Sequence, residues 1–215
     1  MTGEEMYLDH KKKVMIGIID NYNNRIGNLN WDKFKIDKDH FDLEKTLCTP
    51  QICKDCGKCC LRFPCVFSPY DFLDLHDLNY MRNILNTGII CISKNKKWDT
   101  LILRPRGIAD LEYITSFSIN WDIADGTNPC ILNSNEGCLL STAWRPSEGL
   151  AYYAKKGKRH KIMYNEEDYV KDYKQFQDVL QILVQEYRDK EIPLDKCCTQ
   201  ENVKIFMKRM SEYSK

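Results

Sequence analysis

The sequence predicts an α+β fold: a helix-rich single domain over residues 1–215, with a small antiparallel sheet and a cysteine-ligated metal centre held by loops. Three observations predict it. Apolar residues recur at helical spacing near both ends of the chain, β-rich runs flank a polar turn in the middle, and six cysteines fall within residues 48–65.

The N-terminal helix is expected over residues 1–27. Tyr7, Val14, Met15, Ile18, Ile19, Tyr22 and Ile26 share one side, Lys11, Lys12 and Lys13 the other, and Gly27 ends it. Residues 28–52 are polar and irregular, a connector into the cysteine-cluster region 48–150. Ser68, Pro69 and Asp71 form a helix start, with a capping hydroxyl, a first-turn proline and an acid at the positive end; that helix is expected to run to about Asn86 and stop at Gly88. Ile89–Ser93 and Trp98–Leu103 flank the turn Lys94–Lys97 as two strands, and Leu111–Trp121 is a further β-rich run. Residues 125–165 read as loops wrapped around whatever the cysteines hold. The C-terminal helices occupy 165–215: one from Glu166 to Arg188, and one from about Thr199 to Tyr213 that buries Val203, Phe206, Met207 and Met210.

Composition narrows the function. Thirty-two Lys and Arg against thirty-one Asp and Glu give a formal charge of +1, which disfavours a nucleic-acid partner. Hydrophobic residues at 43% exclude a disordered chain, yet the longest apolar stretch near the start is only Val14–Ile19, so no membrane association is expected. Glu4, Glu5 and Asp9 stand where a secretory leader would be basic, and the expected location is cytoplasmic.

Eleven cysteines in a reducing compartment point to metal or redox chemistry rather than disulfides. Cys53, Cys56, Cys59 and Cys60 form a CxxCxxCC run, in which two-residue spacing lets a tight turn aim two sulfurs at one centre. Gly57 suits such a turn, and Lys54, Lys58 and Arg62 offset thiolate charge. This spacing fits a zinc site or three ligands of a [4Fe-4S] cluster; the ferredoxin pattern itself is incomplete, since Cys60 adjoins Cys59 and the next thiol is Cys65.

Downstream, Cys130-Ile131-Leu132, Gly137-Cys138 and Arg145-Pro146 form a second ordered block. With Cys53–Cys60 it resembles the YkgJ-type cysteine-cluster family, described as a zinc- or iron-chelating CxxCxxCC domain, across roughly residues 50–150. The resemblance implies a metal set of Cys53, Cys56, Cys59, Cys60, Cys130 and Cys138. Flagellin lysine N-methylases are similar at a greater distance, which implies S-adenosylmethionine as a cofactor and a protein or peptide side chain as substrate. One position departs: many members carry a further cysteine three residues after the Arg-Pro, where this chain has Gly149. His160 and Cys65 are the candidates to replace it. No glycine-rich nucleotide fingerprint is present.

The remaining groups read as structural. Arg104-Pro105-Arg106-Gly107 is expected at a surface hairpin end, Lys155–Lys161 as a solvated basic loop, Cys91 in a buried strand, and Cys197 and Cys198 as packing residues. Two classes of function therefore compete, an enzyme that modifies a protein or peptide by methyl transfer or redox chemistry, and a non-catalytic module whose metal fixes protein- or nucleic-acid-binding loops.

Overall fold

The structure, a computed structural model, describes residues 1–26, 43, 60–61, 64–110, 115–116, 128–154 and 160–212. Helix α1 (Gly3–Ile26) opens the chain as expected. A 3-10 turn (Pro69–Asp71) precedes helix α2 (Leu78–Leu85), and strands β1 (Ile90–Asn95) and β2 (Thr100–Pro105) follow. The third strand β3 (Thr115–Ser116) lies on the other side of β1. Two hairpins come next, β4 (Asn133–Ser134) with β5 (Gly137–Cys138), and β6 (Tyr152–Ala154) with β7 (His160–Ile162), with the short helix α3 (Ser147–Leu150) between them. Helices α4 (Glu166–Tyr173), α5 (Gln177–Tyr187), α6 (Leu194–Cys197) and α7 (Gln200–Met210) complete the α+β architecture. Among the described residues no helix is long and apolar enough to cross a membrane.

Several elements differ from the sequence reading. The helix expected from Pro69 to Asn86 is two elements, because Asp77 caps a new start by accepting from the amides of Asn79 (2.9 Å) and Tyr80 (3.0 Å). The Ser68 cap forms, and with Asp71 it makes a reciprocal capping box, but around a single 3-10 turn. The long C-terminal helix is interrupted by a 3-10 turn at Lys174–Phe176, where Phe176 turns inward. Residues 125–165, expected as loops, contain both small hairpins among the described residues. The sheet is not wholly antiparallel: β1 pairs with β2 antiparallel, Ile90 opposite Pro105 to Asn95 opposite Thr100, but with β3 in parallel. The rest of Leu111–Trp121 lies outside the described residues.

β2 is one edge of this sheet, and its open side is closed by two side chains and a backbone amide. The Gln177 amide accepts from Leu101 N (2.8 Å) and donates to Leu101 O (3.1 Å). Leu103 N donates to the Tyr173 hydroxyl (3.2 Å), and Leu103 O accepts from Phe67 N (2.9 Å). Each backbone group that would template another strand is thus satisfied internally. Ile90, Ile92, Ile102, Leu103, Leu180 and Leu183 are solvent-free around it.

The largest departure is Lys11. Expected on an outer face of α1, it is fully buried, and its ammonium donates to Asp71 Oδ1 (2.5 Å), Arg145 O (2.8 Å) and Ser147 Oγ (3.1 Å). Asp71 is equally buried; its carboxylate also accepts from Ser68 N (2.9 Å), Ser147 N (2.8 Å) and the Ser147 hydroxyl. All three ammonium donors and four acceptor sites are used, the condition under which a buried ion pair is tolerated. Tyr7 completes the joint, donating to Asp71 O (2.9 Å) and stacking on Trp144 at 5.3 Å between ring centroids.

Removing one partner leaves a buried charge. Asp71→Ala is expected to lower unfolding free energy by about 3–5 kcal/mol in denaturant titration, and Lys11→Met combined with Asp71→Asn to recover most of that loss. Equal destabilisation by the single and double variants would contradict the pairing.

Candidate metal centre

The end of β2 is the platform for the second cysteine block. Arg104 and Arg106 are fully buried rather than at a surface hairpin end, so that expectation is corrected. The physical reason is a dense set of acceptors. Arg104 makes a two-pronged pair with Asp110 (2.6 and 2.8 Å), and its Nη1 also donates to Pro105 O (2.9 Å). The Arg106 Nη1 donates to Ile192 O (2.8 Å) and points at Cys197 Sγ (3.4 Å). Asp110 further accepts from Gly107 N (2.6 Å) and Asn128 Nδ2 (3.1 Å); the guanidinium and these donors hold its carboxyl below the usual range against the opposing effect of burial.

On this platform Gly107 and Cys130 form an antiparallel bridge, flanked by Ile108 N to Pro129 O (2.9 Å) and Ile131 N to Arg106 O (3.0 Å). The β4–β5 hairpin then folds back, Asn133 opposite Cys138 and Ser134 opposite Gly137. Gly137 has φ +102°, a turn conformation that a side chain would strain.

The two cysteine blocks meet through their backbones: Cys130 N donates to Cys60 O at 2.7 Å. Cys130 is buried, and Cys60 and Cys138 are half-buried. Burial pushes the Cys130 thiol well above its ordinary pKa, and neighbouring Cys60 and Cys138 push it further. The Leu132 amide, hydrogen-bonded to that sulfur, and the nearby Arg104 guanidinium act in the opposite direction. A positive charge and an amide aimed at sulfur are features that favour thiolate. Without a cation, however, Cys130 remains protonated at neutral pH.

The predicted ligands therefore divide. Cys60 and Cys138 lie near enough to Cys130 to raise its thiol; Cys53, Cys56 and Cys59 lie outside the described residues, as does Cys48. Among the described residues, no group of three or more His, Cys, Asp or Glu is arranged to hold a metal ion. His160 starts β7, its backbone opposite Ala154, and the basic residues 155–159 lie outside the described residues. At Gly149 a Cβ would stand 3.4 Å from both Cβ and Sγ of Cys65, so a thiol from another segment abuts the position where the cysteine-cluster pattern has its own.

Cys91 is buried in β1, with its thiol pushed up to about 11 by desolvation. Cys197 donates to Pro193 O (3.2 Å) beside Arg106. Sequence reasoning missed the arginines: Arg104 and Arg106 sit two apart on a strand end, with Asp110 only six residues beyond Arg104, a local hint of one buried network. No family model matches the chain, and neither a curated protein nor a solved structure matches it.

Glu148 also escaped the sequence reading. Buried beside Gly149, it accepts from Val66 N (2.6 Å), and desolvation raises its carboxyl to about 7 from 4.5. A raised acid binds its proton more tightly in the folded chain, so stability falls as pH rises from about 4.5 to about 7. Glu148→Gln is expected to remove that slope and leave the protein about 3 kcal/mol more stable above pH 7 than its parent, measured by denaturant titration across this range. Parallel pH profiles for the two proteins would refute the assignment.

Proposed function

We propose that the protein binds a metal centre, an iron-sulfur cluster or zinc, through Cys53, Cys56, Cys59, Cys60, Cys130 and Cys138. The observation that carries this reading is the Cys60–Cys130 backbone hydrogen bond of 2.7 Å, which brings the end of one cysteine block onto the start of the other across seventy residues of sequence. The donor chemistry fits. The buried Cys130 thiol, beside a guanidinium and a sulfur-directed amide, would release its proton to solvent as a soft cation took its place on sulfur, with the half-buried Cys60 and Cys138 near it. A bound cation would supply charge compensation for these thiolates and cross-link the two blocks.

Anaerobic purification with metal analysis and a visible absorption spectrum tests the reading; a colourless, metal-free, folded protein would end it. A comparison of variants then tests the division of the cysteines. Serine at Cys53, Cys56 or Cys138 is expected to lower metal content severalfold, because a hydroxyl is a harder and weaker ligand. Serine at Cys91 or Cys197 is expected to leave metal content unchanged and cost on the order of 1–3 kcal/mol for a poorly satisfied buried hydroxyl. Equal metal content in the two sets would show the ligand set to be wrong.

A further inference from the structure

A groove of about 840 Å³ lies between α1 and α4, within the size range of small-molecule sites and separate from the cysteines. Arg25 pairs with Asp168, His10 Nε2 is hydrogen-bonded to Tyr70 O (2.7 Å), and the Tyr70 hydroxyl lies within electrostatic reach of Asp172. From His10 to Arg25 the α1 wall spans about 22 Å of helix.

The middle of the groove is apolar, lined by Val14, Ile18 and Met163. Gly17 forms part of its wall, and a Cβ built there would meet nothing within 4 Å. Glycine is the least favourable residue after proline in a helix interior, and here no neighbour requires it. Its effect is to leave a channel open against the backbone.

Asp172 is the polar group that sets the chemistry. Half-buried, it accepts from the Tyr164 hydroxyl (2.7 Å), and among the described residues it has no ion-pair partner. The groove's other charges are engaged differently: Lys13 pairs with Asp9 (2.6 Å), Arg25 with Asp168, and Lys171 sits beside Asp172 on the same helix without reaching it as an ion pair. Tyr164 is fixed by its second contact, to Ser68 Oγ (3.2 Å), and Tyr70 accepts from Gln175 Nε2 (2.9 Å). A carboxylate with one hydroxyl donor and two tyrosine neighbours, next to an apolar channel, suits a cation carrying an aliphatic stem.

We propose that this groove binds an alkylammonium group, with its head on Asp172 beside Tyr70 and Tyr164 and its stem over Gly17 along Val14, Ile18 and Met163. Desolvation raises the Asp172 carboxyl and Asp168 adds to that rise, against the opposing effects of the Tyr164 hydroxyl and Lys171. The ammonium belongs either to a free amine or to a lysyl side chain.

Calorimetric titration of the full chain with cadaverine and with Nα-acetyl-lysine methylamide, against n-pentanol as the neutral comparison, tests the proposal. Saturable binding of at least one amine is expected, about tenfold or more tighter than pentanol, weakened about tenfold in Asp172→Asn and lost in Gly17→Leu. Leucine improves helix propensity, so Gly17→Leu is expected to keep or raise the thermal midpoint while filling the channel. Tighter cadaverine binding assigns a free amine, and tighter binding of the lysine derivative assigns a lysyl side chain. The proposal is overturned by no saturable amine binding, by amine binding no tighter than pentanol, or by full binding in a folded Gly17→Leu variant. Should Asp172→Asn lose its helical circular dichroism, the Gly17→Leu result decides alone.

Discussion

The carboxylate of Asp71 is the constraint on which the other placements depend. A buried carboxylate without partners is costly by several kcal/mol, so the chain must bring donors to it from wherever they lie in sequence. They come from three segments: Lys11 on α1, Ser68 at the head of the same turn, and Ser147 just after the Arg145-Pro146 pair. Satisfying one side chain therefore sets the positions of the N-terminal helix, the 68–71 turn and the 145–147 segment together. Hydrophobic burial alone would tolerate sliding of α1; a fully occupied ion pair does not, because its distances and angles admit one arrangement.

A second buried charge network does the same for the cysteines. Arg104 and Asp110 hold the end of β2 and the following turn, and onto that fixed backbone Cys130 docks through the Gly107 bridge and the Ile131–Arg106 hydrogen bond. The guanidinium lies close enough to favour the anionic forms of both Cys91 and Cys130, yet desolvation dominates and both thiols are raised. Burial thus keeps these sulfurs protonated, while the arginine reduces the cost of converting either to thiolate.

Periodicity made the helices legible, and local chemistry made one cap legible: α1, α7 and the Ser68 cap follow from spacing and residue type alone. Lys11 was illegible because a helical pattern assigns faces by average polarity, and its partner lies sixty residues away. The same limit hid Arg106, whose acceptor Ile192 O is eighty-six residues distant, and the parallel pairing of β3, a two-residue strand too short to carry a signal. For the cysteines, spacing located the blocks but not their contact. The Cys60–Cys130 bond runs between backbone atoms, which no residue type announces, and the apposition of Cys65 with Gly149 depends on the path of the chain between them.

That path also links the two proposed sites. Segment 64–71 leaves the first cysteine block, pairs Phe67 N with Leu103 O on the sheet edge, and enters the turn that carries Asp71. Ser68 sits at the junction: its amide donates to Asp71, and its hydroxyl is hydrogen-bonded to that of Tyr164, the residue that donates to Asp172 in the α1–α4 groove. The groove's carboxylate is therefore two hydrogen bonds from Ser68, whose own amide holds the buried ion pair, while Val66 of the same segment donates to Glu148 beside the Gly149–Cys65 contact. A shift of this segment along the sheet edge would disturb both regions, and the hydrogen bonds from Phe67, Ser68 and Tyr164 are what oppose it.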